Sequence, residues 1–318
     1  MKNSNPSWTE YWDRRRPRLQ PSLRHFAAVI LLATAITLLF PSSGSTQKQA
    51  EGKASGSHST RAPGAMSPAT RALVEEATNV VCTEAKLDPR SSVAIDEMQA
   101  RPSLPIQAPE ARTGAARAQR LLPVARNLVV SSLKQLVIEY GLQNSRGVDA
   151  KVQQGIERIQ NVKTVKPDME SRDNASVYLS RPHTITFGTI FLAGLRSDEG
   201  MISVLAHELM HIADGDRDSL RVIVSAVGNK ASGLIGMDIR GQRSEELTCD
   251  LIGAMAVRAY VVDTPDYQSI SRRLSRSIEH NCVDLDEGDE DHLSPRNTIR
   301  ALLALSPVLV KELIEERK

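Results

Sequence analysis

The chain has 318 residues, of which 41% are hydrophobic and 3% aromatic, and its 40 basic and 38 acidic residues leave a formal net charge of +2. That length allows one large catalytic domain, or two small ones, together with a leader. Scarce aromatic residues argue against base stacking on RNA or single-stranded DNA, and the small net charge gives no overall field that favours a polyanion. We therefore expect no nucleic-acid partner.

The N-terminus resembles an export signal. Arginines crowd the first 24 positions, and an uncharged apolar run follows from Phe26 to Phe40. This run is shorter than the ~20 residues that cross a bilayer unaided. We predict that residues 1–41 are a basic region with a signal peptide, or an uncleaved membrane anchor. Either alternative exports the rest of the chain across the inner membrane, so that it is periplasmic or anchored facing the periplasm.

Residues 42–66 are rich in Gly, Ser, Ala, Thr and Lys without apolar periodicity, which predicts a flexible linker. Residues 67–318 are then expected to form one domain. Its first helix is predicted from an N-cap at Ser67 through Leu87, followed by a proline-rich loop over residues 89–109.

Two further helices and a small sheet are predicted next. Helical periodicity covers Glu110 to Tyr140, where Pro123 either starts a new helix or bends this one, and it covers Val148 to about Gln160. Short β segments are expected near residues 162–165, 175–179 and 184–188, and almost everything after Asp198 reads as helical. The predicted fold class is α+β and mostly helical, with a small β-sheet or hairpin beside the helices.

The sequence His207-Glu208-Leu209-Met210-His211 is the central motif. Residues i and i+4 share a helix face, so the two imidazoles can chelate one metal ion while Glu208 projects towards a bound water. Zinc lowers the pKa of such a water, and a carboxylate can accept its proton. The alternative is an exposed helix face with a salt-bridged Glu208. Apolar residues before the motif favour a buried helix, where unpaired polar groups are costly.

A third ligand is predicted on a second apolar helix that opens near Arg243. Glu246 and Asp250 share one face of it, so Glu246 can bind the metal while Asp250 accepts a hydrogen bond from a ligand histidine. The alternative is an acidic first turn that is stabilised by the helix dipole, and Glu245 fits that alternative better. Cys249 is expected to be a small core residue. Cys82 and Cys282 can pair in an oxidising compartment, but the sequence leaves that pairing open.

These motifs resemble the HtpX-like, CAAX-prenyl-protease-like family of gluzincin metallopeptidases, in particular its soluble periplasmic or mitochondrial-type members. The resemblance is carried by Asn174-Ala175, by Val204 to His211 and by the spacing from Arg243 through Glu246 and Asp250 to Gly253. It implies a zincin-like metallopeptidase domain with one Zn²⁺ per chain. His207, His211 and Glu246 are its implied metal ligands, and Glu208 is the implied catalytic base.

Departures from the family pattern leave those ligands in place. Gln242 replaces the usual Ser, Cys249 replaces Ala, and Asp216 stands where many members have a further His. A late histidine close to the metal in related proteins corresponds to His292, which we nominate as a catalytic oxyanion stabiliser or a regulatory ligand. His280 is a weaker candidate.

The expected activity is zinc-dependent endopeptidase hydrolysis, and the resemblance implies polypeptide substrates such as misfolded or unassembled envelope proteins. The segment 184–188 is expected to be an edge strand that pairs with substrate, or an ordinary hairpin strand. The acidic stretch 284–291 is expected to be a solvated loop. Two rivals are kept: a zincin-fold chaperone or assembly factor without proteolytic activity, and a structural metal site.

Overall fold

Helices make up most of the computed structural model, which describes residues 65–178, 180–215, 219–266, 268–277 and 288–315. They are α1 (Pro68–Leu87), α2 (Ile95–Gln99), α3 (Pro109–Glu139), α4 (Val148–Asn161), α5 (Thr189–Gly194), α6 (Asp198–Asp214), α7 (Arg221–Ile235), α8 (Gln242–Asp263), α9 (Ile270–Ser275), α10 (Pro295–Leu305) and α11 (Pro307–Glu315). The strands are β1 (Thr164–Asp168), β2 (Ala175–Val177) and β3 (Thr184–Gly188). The predicted α+β, mostly helical class is confirmed. The predictions for residues 1–41, and for nearly all of the linker, lie outside the described residues.

Helix α6 carries the H-E-x-x-H motif and has well-defined ends. The Ser197 hydroxyl accepts a hydrogen bond from the Gly200 N–H at 3.0 Å, which caps the N-terminus. Asp198 in the first turn has a favourable interaction with the helix dipole. At the other end Gly215 adopts a positive φ of 69°, and its N–H donates to the carbonyl of His211. The motif therefore lies within a fixed helix, close to its C-terminal end.

Helix α3 is the long core helix against which α6 packs. It continues through Pro123 as one helix, so Pro123 does not start a new one. Its buried face, which includes Leu122, Leu133 and Leu136, contacts α5, α6 and α8. By length and apolar composition α3 could also cross a bilayer, but a core helix passes the same test. The predicted loop over 89–109 is wrong in part, because it contains the short α2.

The sheet has the order β1-β3-β2, and β3 is its central strand. It pairs in parallel with β1 and antiparallel with β2, which aligns Val165 and Val177 on either side of Ile185. The expectation that residues 184–188 form an edge strand is therefore wrong, because β3 bonds on both sides. Ile185 and Phe187 are fully buried, as suits a central position. The edge that contacts α6 is β2.

A buried network of charges fixes the start of α6 against α1 and α9. Arg273 donates to Glu199 at 2.8 Å, and Arg276 donates to Asp88 at 2.8 Å while lying 3.5 Å from Glu199. All four side chains are nearly inaccessible to solvent. Their pairing satisfies charges that would be costly to bury alone. This network connects the start of α6 to the C-terminal ends of α1 and α9.

The cysteines divide into two kinds. Cys82 on α1 is disulfide-bonded, and Cys249 on α8 is a buried free thiol. Cys282 lies outside the described residues, so its pairing with Cys82 stays a prediction.

Close contact between α3 and α5 leads to a testable prediction. A Cβ at Gly114 would lie 2.2 Å from the carbonyl oxygen of Leu192, whereas a Cβ at Gly233 in α7 would meet open space. Helix propensity favours Ala over Gly by ~1 kcal/mol at both sites. We expect Gly114→Ala to lower the free energy of unfolding by about 2 kcal/mol, and Gly233→Ala to maintain or raise it, by chemical denaturation. If Gly114→Ala stabilised the chain as much as Gly233→Ala does, that result would contradict the close contact between α3 and α5.

Candidate metal centre

Helices α6 and α8 pack against each other, and the side chains of His207, His211, Glu246 and Asp250 meet between them. His207, Glu208, Glu246 and Asp250 are each less than a tenth exposed, and His211 is half-buried. Long apolar stretches of both helices surround these polar side chains. The polar groups therefore need partners, because burial without them would cost several kcal/mol each, of order 2–7.

Three of these side chains converge on one point. The Nε2 atom of His207 lies 3.3 Å from Oε2 of Glu246, and the Nε2 atom of His211 lies 3.5 Å from the same oxygen. The two Nε2 atoms are 3.1 Å apart. Ligand atoms about 2.0–2.1 Å from a tetrahedral zinc ion are roughly 3.3 Å from one another. The triangle of His207, His211 and Glu246 therefore has dimensions that suit a single tetrahedral cation.

The other imidazole nitrogens face away from this triangle. Nδ1 of His207 lies 2.8 Å from Oδ1 of Asp250, as the sequence predicts. Nδ1 of His211 lies 3.3 Å from Oε1 of Glu245 and 3.6 Å from the Cys249 sulfur. An acceptor at Nδ1 holds the proton there, and this leaves the Nε2 lone pair directed at the point where the three side chains converge. Both imidazoles are thus oriented so that they could bind a metal ion.

The carboxylate of Glu246 is oriented in the same way. Gln242, the first residue of α8, donates from Nε2 to Oε1 of Glu246 at 3.1 Å. The carboxylate therefore has one oxygen held by an amide and the other directed at the histidines. Gln242 thus orients the Glu246 carboxylate.

Cys249 offers a second donor set for a metal. Ligand atoms of His207, His211 and Cys249 all lie within 4.8 Å of one another, so this group could hold a metal ion. Its sulfur, however, is on the Nδ1 side of His211, whereas the two Nε2 atoms face Glu246. A metal ion bound by His207, His211 and Glu246 would need no change in the orientation of either imidazole ring. The expectation that Cys249 is only a core residue is therefore incomplete.

The pKa shifts report strong coupling within the cluster. Burial alone would lower the pKa of His207, but its hydrogen bonds with Asp250 and Glu246 outweigh burial and raise that pKa well above its usual value. Burial would raise the pKa of Glu246, but His211 and His207 hold it well below its usual range. The site thus favours a positive charge between its imidazoles and carboxylates, as a bound cation would supply.

Two other carboxyl groups of the site have raised pKa values, in contrast to Glu246. Burial raises the pKa of Glu208, and it also raises that of Asp250. Among the described residues, Oδ2 of Asp250 is buried without a hydrogen-bond partner. Burial likewise raises the pKa of the Cys249 thiol. A bound cation would compensate the negative charges that are buried in this region.

His292 lies at the same point as the predicted ligands. Its Nε2 is 3.5 Å from Oε2 of Glu246, and its Nδ1 is 3.5 Å from Oδ1 of Asp289. The Asp289 side chain also accepts from the His292 N–H at 2.7 Å, and Arg243 donates to the Asp289 carbonyl at 2.6 Å. His292 therefore lies beside Glu246, and its role as an oxyanion stabiliser or regulatory ligand stays a prediction. His280 and Asp216 lie outside the described residues.

Two contacts were missed by the sequence reasoning. The sequence predicts an ordinary acidic helix turn for Glu245 and a core position for Cys249, yet both side chains contact His211. Spacing gave a partial signal, because Glu245 and Cys249 are i and i+4 and thus share a face adjacent to that of Glu246 and Asp250. The second face matters because Nδ1 of His211 lies near both Glu245 and Cys249.

A scan against protein-family models, a search of the curated proteins and a search of the solved structures found no match to this chain. The arguments about its function therefore start from the geometry described above.

Removing the acceptor from His207 should weaken the site. Asp250→Ala frees the imidazole to rotate and to change its tautomer, so we expect the affinity for Zn²⁺ to fall ten- to a hundredfold. The measurement is competition with a chromophoric chelator. Thr248→Ala is a suitable control, because the Thr248 hydroxyl is also buried on α8 but donates within its own helix, to the carbonyl of Ser244. Equal affinities of the two variants would contradict the role of Asp250.

Proposed function

We propose that this chain is a zinc-dependent endopeptidase with a zincin-like fold, of the HtpX-like, CAAX-prenyl-protease-like gluzincin class. The observation that supports it best is the convergence of three atoms, Nε2 of His207, Nε2 of His211 and Oε2 of Glu246, at 3.1–3.5 Å. Glu208 lies between the two histidines in sequence and is buried beside them. A metal-binding pair with an acid next to it is the donor pattern of a hydrolytic centre.

The donor set favours zinc. Two imidazoles and one carboxylate are typical of catalytic zinc sites, which keep one position open for water or substrate, whereas structural sites have four protein ligands. When bound there, zinc would lower the pKa of a coordinated water and polarise the carbonyl of a peptide bond. Asp250, Glu245 and Gln242 would hold the three ligands in place, through the contacts described above.

Glu208 has the role of general base. Its carboxylate would accept a proton as water attacks the peptide carbon, and it would then deliver that proton to the departing amine nitrogen. The peptide C–N bond breaks, and the products are a carboxylate and an amine. A protein that only binds or holds a cation has no need of Glu208, so its presence beside the ligands supports catalysis.

The proposed substrates are misfolded or unassembled envelope proteins, outside the cytoplasm. The basic and apolar leader in residues 1–41 supports export. The disulfide at Cys82 adds support, because disulfides persist in oxidising compartments such as the periplasm. The leader is either removed as a signal peptide or retained as a membrane anchor.

Replacing Glu208 separates catalysis from metal binding. We expect Glu208→Gln to keep one Zn²⁺ per chain, because the ligand atoms are unchanged, and to lower the rate of casein hydrolysis at least ~100-fold, since general-base catalysis contributes about 10²–10⁴. The measurements are metal analysis and release of labelled casein fragments, with and without a chelator.

Two comparisons make that experiment decisive. Glu246→Ala should lose both the metal and the activity, since it removes one ligand. Glu139→Gln, at the exposed C-terminal end of α3, should change neither. If Glu208→Gln hydrolyses casein as fast as the native chain, or if the native chain shows no chelator-sensitive hydrolysis, the chaperone alternative is favoured.

The second alternative to a catalytic centre is a structural metal site that includes His292. With His292 as a fourth protein ligand, the site would be closed like a structural zinc site. In a catalytic site three ligands suffice, so we expect His292→Ala to retain one zinc ion per chain after dialysis. Loss of zinc from His292→Ala with unchanged hydrolysis would identify the structural alternative instead.

A further inference from the structure

His211 has polar partners on both sides of its ring. Its Nε2 faces His207 and Glu246, whereas its Nδ1 lies 3.3 Å from Oε1 of Glu245 and 3.6 Å from the sulfur of Cys249. Each nitrogen of an imidazole can bind a cation, because each has a lone pair in the ring plane when it carries no proton. The Nδ1 side of His211 therefore offers a second set of donors: a nitrogen, an oxygen and a sulfur.

The distances on the Nδ1 side agree with those between ligands of one metal ion. Nitrogen and oxygen ligands lie about 2.0–2.1 Å from a tetrahedral zinc ion and sulfur lies about 2.3 Å from it, so a nitrogen is roughly 3.3 Å from an oxygen and roughly 3.5 Å from a sulfur. The measured distances from Nδ1 of His211 are 3.3 Å to Glu245 and 3.6 Å to Cys249. One cation could thus contact Nδ1 together with either donor of α8 without a large movement of the side chains.

Helix α8 presents its two donors from one face. Glu245 and Cys249 are four residues apart, which places one above the other on a helix. His207 and His211 have the same spacing on α6, and at this spacing two side chains can bind one ion. The face with Glu245 and Cys249 adjoins the face that carries Glu246. Two neighbouring faces of α8 therefore each meet one nitrogen of His211.

The imidazole and the carboxylate of this set are nearer to solvent than the thiol. The side chains of His211 and Glu245 are 19% and 14% exposed, whereas Cys249 is 2% exposed. A cation can therefore approach past the carboxylate and the imidazole, and the sulfur lies at the inner end of its path. Shielding from water on the side of the thiol would strengthen the attraction between a bound cation and its charged ligands.

The charges around the histidines leave room for a second cation. Four carboxyl groups lie around these two rings: Glu208, Glu245, Glu246 and Asp250. One divalent cation compensates two negative charges, so a single metal ion leaves a surplus of acid in this region. A thiolate at Cys249 would add to that surplus. A second divalent cation would compensate it, which makes the burial of these groups less costly.

The mixed donor set selects among cations. Thiolate and imidazole ligands suit zinc and the softer cadmium ion, whereas magnesium and calcium prefer oxygen ligands. Binding would displace two protons to solvent, one from Nδ1 of His211 and one from the thiol of Cys249, because a metal ligand must be deprotonated. The donors on the Nδ1 side would therefore bind zinc or cadmium and discriminate against magnesium and calcium.

We propose that Nδ1 of His211, Oε1 of Glu245 and the sulfur of Cys249 form a second binding site for a zinc-type cation, which His211 bridges to the first centre. Two like charges are then separated by one imidazole ring, so the second ion binds more weakly than the first. Dialysis removes this second ion and leaves the one zinc ion per chain that is expected at the first centre. The proposal concerns cation binding, and its test does not depend on peptide hydrolysis.

Cadmium tests this site, because a thiolate that binds Cd²⁺ gives a charge-transfer band in the ultraviolet. The native chain is loaded with zinc and dialysed, and Cd²⁺ is then added while the absorbance and the released zinc are measured. We expect one Cd²⁺ to bind per chain with a thiolate band, while the zinc ion stays in place. An excess of Mg²⁺ or Ca²⁺ should leave this binding unchanged, because neither ion favours a thiolate ligand.

Two variants with matched controls assign the ligands. Cys249→Ala should remove the band and the second binding step but keep the zinc ion, whereas Thr248→Ala, at the neighbouring buried position of α8, should keep all three. Glu245→Gln should weaken the binding of Cd²⁺ at least about tenfold, because it removes a charged ligand. Asp263→Asn, at the exposed end of α8, makes the same change in net charge and should not weaken it. Circular dichroism and zinc content check that each variant is folded.

Any of three results would overturn the second site. Release of one zinc ion for each Cd²⁺ that gives a band would make Cys249 a ligand of the first centre. A native chain without the band, or a Cys249→Ala variant that keeps it, would show that this thiol binds no second ion. Equal binding of Cd²⁺ by Glu245→Gln and Asp263→Asn would remove Glu245 from the ligands. A native chain that binds Cd²⁺ as expected but hydrolyses no casein would contradict the endopeptidase and support the second site.

Discussion

The contact between α6 and α8 is the constraint on which the site depends. Each helix alone presents a partial set of donors, with His207 and His211 on one and Glu246 on the other. Only their packing brings Oε2 of Glu246 within 3.5 Å of both Nε2 atoms. The surrounding core is apolar, so polar groups persist there only when each has a partner. A cation would satisfy all three at once.

A second layer of contacts gives the centre its precision. Asp250, Glu245 and Gln242 are all on α8, as is the proposed ligand Glu246. One helix therefore supplies a proposed ligand and also the groups that orient the two histidines on α6. This arrangement favours a fixed geometry, because no loop must become ordered for the donors to meet. The buried charges at the start of α6 hold that helix from its other end.

Much of this centre could be predicted from the sequence, because its donors have helical spacing. The i, i+4 pairs His207/His211 and Glu246/Asp250 require only that each segment be a helix, and local apolar periodicity supports that. The partner of His211 could not be predicted in the same way. Which side of α8 faces His211 depends on the rotation of one helix against the other, and that rotation is fixed by packing across the whole core.

The sheet illustrates a similar limit. Strand positions follow from local composition, and residues 184–188 do form a strand, yet the sequence does not state the order of strands. Parallel pairing of β1 with β3 moves β3 to the centre and leaves β2 as the edge beside α6. At Pro123, tertiary packing keeps α3 continuous where local propensity favours a break, so of the two alternatives the start of a new helix is excluded. Long-range contacts decide both cases.

X-ray absorption at the zinc edge of the metal-loaded chain is the most direct measurement of the central claim. Ligation by His207, His211 and Glu246 predicts a first shell of nitrogen and oxygen only, at about 2.0–2.1 Å, with the outer-shell signals of imidazole rings. A sulfur contribution at about 2.3 Å would place Cys249 in the first shell instead. That result, or a shell without imidazole, would contradict the geometry on which the proposed catalysis rests.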